Sequence, residues 1–96
     1  MKVILVSLVV LLPALSLGDG KQRAVQCAAC HGDGGVSTTP MWPNLAGQKK
    51  DYLVKQLKDF KTGNRKDPVM SPQAAALSDA DIEDLAKYFS GLKCGK

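Results

Sequence analysis

The sequence predicts an all-α fold, and three of its features carry that expectation. Two segments place apolar side chains at helical spacing, no segment alternates polar and apolar residues well enough to form a strand, and the intervening stretches are broken by glycine and proline. At 96 residues the chain has room for one small domain. Three or four short helices joined by two irregular segments is the expected arrangement.

Residues 1–18 read differently from the rest. Met1-Lys2 is followed by an apolar run over residues 3–12 and then by Pro13-Ala14-Leu15-Ser16-Leu17-Gly18, with small residues at Ser16 and Gly18. Charged, apolar and small-residue regions in that order form a secretory signal peptide. The apolar run is well short of the roughly 20 residues that a membrane-spanning helix needs. Cleavage is expected after Gly18, with Ser16 as the alternative, and leaves residues 19–96 as the mature, exported domain. Stable membrane insertion is not expected.

Within that domain, residues 19–29 suit a short helix that carries Gly20 and Ala24 on one face, small enough for another helix to approach closely, and that ends at the cysteines. Residues 32–47 contain Gly32, Gly34, Gly35, Pro40, Pro43 and Gly47, too many breakers for a long regular element. A loop of that length in a compact domain is usually functional. Residues 48–62 repeat Tyr52, Leu53, Leu57 and Phe60 at helical spacing, and Gly63-Asn64 supplies the stop. Pro68 and Pro72 bracket Val69-Met70-Ser71, so residues 65–77 are expected to be stiff and irregular. The last helix is the best marked. Ser78 and Asp81 form a capping box, Leu77 and Ile82 can staple it, acidic residues fill its first turns, and Ile82, Leu85, Ala86 and Phe89 form its apolar stripe.

The formal net charge is +4, and the basic excess is local. Residues 49–66 hold seven cationic and two anionic side chains, whereas Asp79, Asp81, Glu83 and Asp84 are grouped. Such asymmetry bears on orientation and choice of partner rather than on fold. Most of the lysines should form a solvated helix face that also steers acidic partners. Nucleic acid is excluded as a partner, because the basic stretch lacks interleaved aromatic residues and the chain is exported. Aromatic residues are few: Trp42, Tyr52, Phe60, Tyr88 and Phe89. A domain this small generally needs a staple, and three cysteines make a poor disulfide framework.

The staple is indicated by Cys27-Ala28-Ala29-Cys30-His31-Gly32, which sets the only histidine directly after the second of two thiols. Zinc is disfavoured, since Cys30 and His31 are adjacent and hard to aim at one tetrahedral centre even if Cys94 joined them. A thioredoxin-like switch needs its dithiol in a βαβ setting, which is missing here. The remaining reading is covalent haem attachment through C-x-x-C-H. Two thiols on a helical turn can join the two vinyl groups of one haem, and the adjacent imidazole then faces the iron through Nε2. Gly32 would leave room for the macrocycle edge. A flat apolar cofactor would also supply the interior that the sequence lacks.

At these residues the chain resembles the class I c-type cytochromes, particularly the small bacterial monohaem ones. The resemblance covers the whole mature chain and rests on Gly20-Lys21 and Ala24 leading into "CAACHG", on "PNLAGQ" at 43–48, "DPVMSP" at 67–72 and "LSDADIEDLAKYFSGL" at 77–92. It implies a cytochrome c fold of three to four short helices around one covalently bound haem c, attached through Cys27 and Cys30. It also implies His31 and Met70 as axial iron ligands, Met/His ligation being the cytochrome c pattern; Met41 is the competing thioether. In the family the carbonyl matching Pro43 accepts the second ring N–H of the histidine. Leu45 and Val69 are implied to line the haem, and Phe89 to pack on Gly20 and Ala24 where the terminal helices cross. Trp42, Gln48, Asn64 and Arg65 are candidates for holding the propionates or tuning the methionine. A short N-terminal helix and Cys94 depart from the family pattern; Cys94 is left open as a free thiol, a bridge to a partner or a modified end.

The function implied is that of a periplasmic one-electron carrier, not an enzyme. Its partners would be redox proteins, a donor dehydrogenase or cytochrome complex and an acceptor oxidase or reductase. Two alternatives stand beside it: the haem-bearing subunit of an exported dehydrogenase complex, and a gas-binding or peroxidatic haem protein with a labile Met70.

Overall fold

The computed structural model describes residues 2–7 and 20–94. Residues 2–7 are exposed and belong to no regular element, while the expected cleavage site after Gly18, its alternative at Ser16 and the start of the first helix at Asp19 lie outside the described residues. The described domain contains five α-helices and one 3-10 turn, and no strand is found among the described residues: α1 Gly20–Arg23, α2 Val25–His31, the 3-10 turn Asp33–Gly35, α3 Lys50–Thr62, α4 Met70–Ala75 and α5 Asp79–Ser90.

The first two helices form almost one rod. Ala24 interrupts them, yet its N–H donates to the Gly20 carbonyl at 2.8 Å and its carbonyl accepts from Ala28 at 3.0 Å. The rod therefore runs through Cys27, Cys30 and His31 rather than ending at the cysteines, and all three functional side chains project from helical backbone. It stops at Gly32, whose φ of 83° and ψ of 157° are open only to glycine. A Cβ at Gly32 would run into the Val36 carbonyl. The loop that follows thus leaves no space for a side chain at this position.

α3 begins at Lys50 and ends with Gly63 in the left-handed conformation, as the Gly63-Asn64 stop implies. α5 is the helix that the sequence marks most clearly. Ser78 Oγ accepts the Asp81 N–H at 3.1 Å and Asp81 Oδ2 accepts the Ser78 N–H at 2.9 Å, closing the capping box. Ile82, Leu85, Ala86 and Phe89 are all buried. Leu85, Ala86 and Phe89 form one side of a core completed by Ala24 from the first rod and Leu53 from α3.

The α1–α5 crossing differs in detail from expectation. A Cβ at Gly20 would meet the Asp84 carbonyl and lie 2.7 Å from Tyr88 Cβ, so Tyr88 rather than Phe89 covers Gly20. Phe89 packs with Ala24 in the core and reaches Gly35, where an added Cβ would lie 3.1 Å from its ring. Arg23 Nε pairs with Asp81 Oδ1 at 2.8 Å and ties α1 to the head of α5.

The segment before α5 also departs from the sequence reading. Residues 65–77 are not irregular throughout, because Met70–Ala75 is helical and anchored by the fully buried Ala74. Pro72 does not prevent this. It occupies the first turn of α4, where a proline is tolerated.

Candidate functional site

The site is built on the end of the first rod and the two loops that flank α3. One turn of α2 sets Cys27 and Cys30 on neighbouring positions, and His31 follows as the last helical residue. Both thiols are free and half-buried. Cys27 packs against the edge of the core, as Leu45, Leu57 and Leu77 also do. Burial, and then the neighbouring Cys30, raise the Cys27 thiol above its ordinary value. A thiol so disfavoured as the anion is a poor redox switch. Among the described residues no three His, Cys, Asp or Glu side chains come together as a metal cluster, so Cys94 does not complete a zinc site with the motif.

His31 is buried, with only 7% of its surface exposed. Its Nδ1 lies 2.8 Å from the carbonyl oxygen of Pro43. A carbonyl can only accept, so Nδ1 carries the hydrogen, and in a neutral imidazole Nε2 is then the nitrogen with the free lone pair. This is how a ligating histidine is generally oriented. The ring is held from behind, by backbone, with its donor nitrogen turned the other way.

The loop that carries Pro43 is itself pinned. The Gly35 carbonyl accepts from Leu45 N at 2.8 Å and from Ala46 N at 3.0 Å, and Gly47 N donates to Phe89 O at 2.9 Å. Gly35 has a φ of 74°, and a Cβ there would sit 2.9 Å from Ala46 N. The glycine permits the two halves of the loop to close and brings Leu45, half-buried, against the core. Its role as the loop's closure point was not legible from the count of breakers alone. The Asn44 side chain adds a bond from Ser37 N at 2.6 Å.

The two thioethers, Met41 in the loop before α3 and Met70 beyond it, differ sharply in setting. Met41 is 80% exposed. Met70 is half-buried, at the head of α4. Asp67 holds that head in place: its Oδ2 accepts the Met70 N–H at 2.7 Å and the Val69 N–H at 2.9 Å. These two N–H groups lower the Asp67 carboxyl below the usual carboxylate range, the Met70 bond contributing most. Asp67 was missed in the sequence, although an Asp directly before a Pro is the pattern of a capped helix start. Val69, implied to line the haem, is 48% exposed.

The candidates for propionate binding divide. Arg65 is engaged, its Nη1 donating to Gln56 Oε1 at 2.7 Å and its guanidinium lying 4.5 Å from the Phe60 ring centre. Gln48 Oε1 accepts from Lys49 N at 2.9 Å. Trp42 is half-buried and Asn64 exposed. Cys94 is exposed and its sulfur lies against the Gly47 backbone.

The lysine run is less of a free cationic face than its composition implies. Lys50 pairs with Glu83 at 3.2 Å, Lys61 with Asp79 at 3.9 Å and Lys55 with Asp59 at 2.5 Å. Two of these pairs join α3 to the acidic head of α5, so part of the charge asymmetry is offset between neighbouring helices.

The residues present therefore fit a covalently attached haem. Two unpaired thiols share one helical turn, and a buried imidazole has its tautomer set for Nε2 ligation. A half-buried thioether sits beyond α3. No helix among the described residues is long and apolar enough to cross a membrane.

Comparison with known proteins points the same way. Residues 18–89 match the family described as "Cytochrome C oxidase, cbb3-type, subunit III". The chain is 48% identical over 73 residues to cytochrome c4 of Thiocapsa roseopersicina, a match that takes in 76% of this chain but only 37% of that protein. It thus spans well under half the length of that relative. It is 42% identical over 74 residues to cytochrome c-554(548) of Halomonas halodenitrificans, covering 74% of this chain and 89% of that one. The crystal structure of reduced recombinant cytochrome c4 from Pseudomonas stutzeri superposes with a TM-score of 0.71 at 35% identity, over 80% of this chain and 48% of the other.

Proposed function

This chain belongs to the class I c-type cytochromes, and on that premise we propose that it is a diffusible one-electron carrier of the periplasm. One haem c is held through the Cys27 and Cys30 motif. When bound, that haem supplies an iron that exchanges single electrons with partner proteins. The chain's own residues hold it, fix its ligands and keep water away from them.

The observation that carries this reading is the bond from His31 Nδ1 to the Pro43 carbonyl. It fixes the ring orientation and strengthens Nε2 as a donor. Met70 is proposed as the second axial ligand; its partial burial and capped backbone support it over Met41, which is exposed. An imidazole and a thioether from the protein together leave no position for a small substrate, so electron transfer is the chemistry that remains. Met opposite His also raises the potential relative to two histidines. Leu45 is proposed as a haem-lining side chain, supported by its place at the core edge.

Residues 1–18 are proposed as the export signal, which would deliver the chain to the compartment where the haem carrier works. The partners proposed are redox proteins, a dehydrogenase or cytochrome complex on the donor side and an oxidase or reductase on the acceptor side. With three lysines of the α3 region paired to carboxylates, steering by charge is proposed to be modest, and docking to weaken only gently with salt.

A second reading, as the haem-bearing subunit of a larger exported redox complex, is favoured by the oxidase-subunit description of the matching family. Size-exclusion of a native extract distinguishes the two: a single small coloured species supports the free carrier, and co-elution with a large protein supports the subunit. Rapid carbon monoxide binding by the reduced protein at neutral pH would contradict both and point to a gas-binding protein with a labile Met70.

A further inference from the structure

The backbone around Met70 is held by an unusually closed set of bonds. Asp67 Oδ2 accepts the N–H groups of Val69 and Met70, the Asp67 N–H donates to Ser71 Oγ at 2.9 Å, and the Asp67 carbonyl accepts the Ser71 N–H at 3.0 Å. Met70 thus lies inside a five-residue ring whose two ends, Asp67 and Ser71, are bonded to each other twice. The ring is fastened on either side. Upstream, Arg65 N donates to Asp59 O at 3.0 Å and its side chain bonds Gln56, both on α3. Downstream, Ala74 is fully buried.

We propose that Asp67 is a positioning residue for the Met70 thioether: its carboxylate sets the backbone from which that side chain leaves, and so favours the ligating arrangement of the loop. The inference rests on the reading of Met70 as axial ligand. Physically, a ligand on a loose loop spends part of its time away from the metal, and a competing molecule gains affinity in proportion to that fraction. Capping the first turn with a carboxylate that takes two N–H groups removes most of the alternatives, since those groups would otherwise need water or another partner.

The test uses the ferric haem-loaded full chain, with imidazole as the competing probe. Four variants are compared with wild type: Asp67→Ala, Asp67→Asn, Ser71→Ala and Ser78→Ala. The last removes a cap of the same kind from α5, away from Met70. Asp67→Ala should bind imidazole about tenfold more tightly, within the range that loss of a cap produces. Asp67→Asn, which still presents an acceptor oxygen, should stay within about twofold of wild type. Ser71→Ala should show a smaller gain of about threefold, which keeps the test open if Asp67→Ala does not fold. Amide exchange at Val69 and Met70 should speed up in Asp67→Ala and not in Ser78→Ala. If Asp67→Ala, or Ser71→Ala in its place, binds imidazole no more tightly than Ser78→Ala, the positioning role is overturned. Met70→Ala separates the two layers: retention of the far-red sulfur-to-iron band of the ferric protein in that variant refutes the ligand reading itself, whatever the Asp67 variants do.

Discussion

Replacing Gly20 by alanine tests how closely the first rod must approach α5. The added methyl carbon would lie 2.7 Å from Tyr88 Cβ and 2.9 Å from the Asp84 carbonyl carbon. Carbon atoms pack best at about 3.5–4.0 Å, so the helices would have to part by roughly 1 Å. Neither opposing atom is the end of a flexible side chain. The crossing cannot relieve the contact by a rotamer change, which places the cost in the upper part of the ~1–3 kcal/mol overpacking range. The helix propensity of alanine returns at most about 1 kcal/mol. The net loss is then roughly 2 kcal/mol, which in a domain of this size lowers Tm by about 8–16 °C. Thermal unfolding of the haem-loaded protein, followed by far-UV circular dichroism, reads it directly. Gly63→Ala is the comparison: its Cβ would meet nothing within 4 Å, but its φ of +85° costs a side chain about 1–2 kcal/mol. A Gly20→Ala protein that melts at or above the wild-type temperature would show that propensity outweighs contact here, and the close-approach reasoning would fail.

Other outcomes follow from named contacts. Ser78→Ala should cost about 1 kcal/mol by removing the α5 cap, seen as a lowered urea midpoint with an unaltered visible spectrum. Asp81 is held below the usual carboxylate range, chiefly by the Ser78 N–H, then by the Ser78 hydroxyl and the Arg23 charge. A depressed carboxyl stabilises the fold above its unfolded pKa and loses that contribution as pH falls through the lower folded value. Stability should therefore decline below pH ~4, and Asp81→Asn should flatten that decline in urea titrations across the acid range. Raising ionic strength should slow electron exchange with an acidic partner only mildly, because Lys50, Lys55 and Lys61 are already paired; a steep salt dependence in stopped-flow kinetics would contradict the proposal of modest steering.

Much of the fold was legible because its signals are local. The capping box at Ser78 and Asp81 and the stripe from Ile82 to Phe89 depend only on residues within α5, and they appear as read. The α3 stop at Gly63 is equally local. What escaped depended on register between elements. Helix α4 was hidden by Pro68 and Pro72, which read as breakers until Asp67 is seen to cap the turn they shape. Whether Gly20 meets Tyr88 or Phe89 turns on the rotation of α5 about its axis, which no single stripe determines. The contact at Gly32 escaped for a related reason: the atom that forbids a side chain there belongs to Val36, four residues on, and only the folded loop brings it back. The lysine run looked free because its partners Glu83 and Asp79 lie in another helix.

The chemistry of the site was readable for a different reason. C-x-x-C-H is a motif whose residues all lie within one helical segment, so its meaning survives without knowledge of the fold. The Pro43 carbonyl is the opposite case. Twelve residues separate it from His31, and nothing in the spacing alone selects that carbonyl over its neighbours. The family resemblance indicated it, and the loop closed by Gly35 explains how the backbone delivers it.

Covalent attachment of haem through Cys27 and Cys30 is tested most directly by intact mass under denaturing conditions, on protein from a host able to mature c-type cytochromes. The expected result is polypeptide plus one haem, reduced to a labile or partial adduct when either cysteine is replaced by alanine. A mass equal to the bare polypeptide, with all colour removed by acid-acetone, would contradict the account.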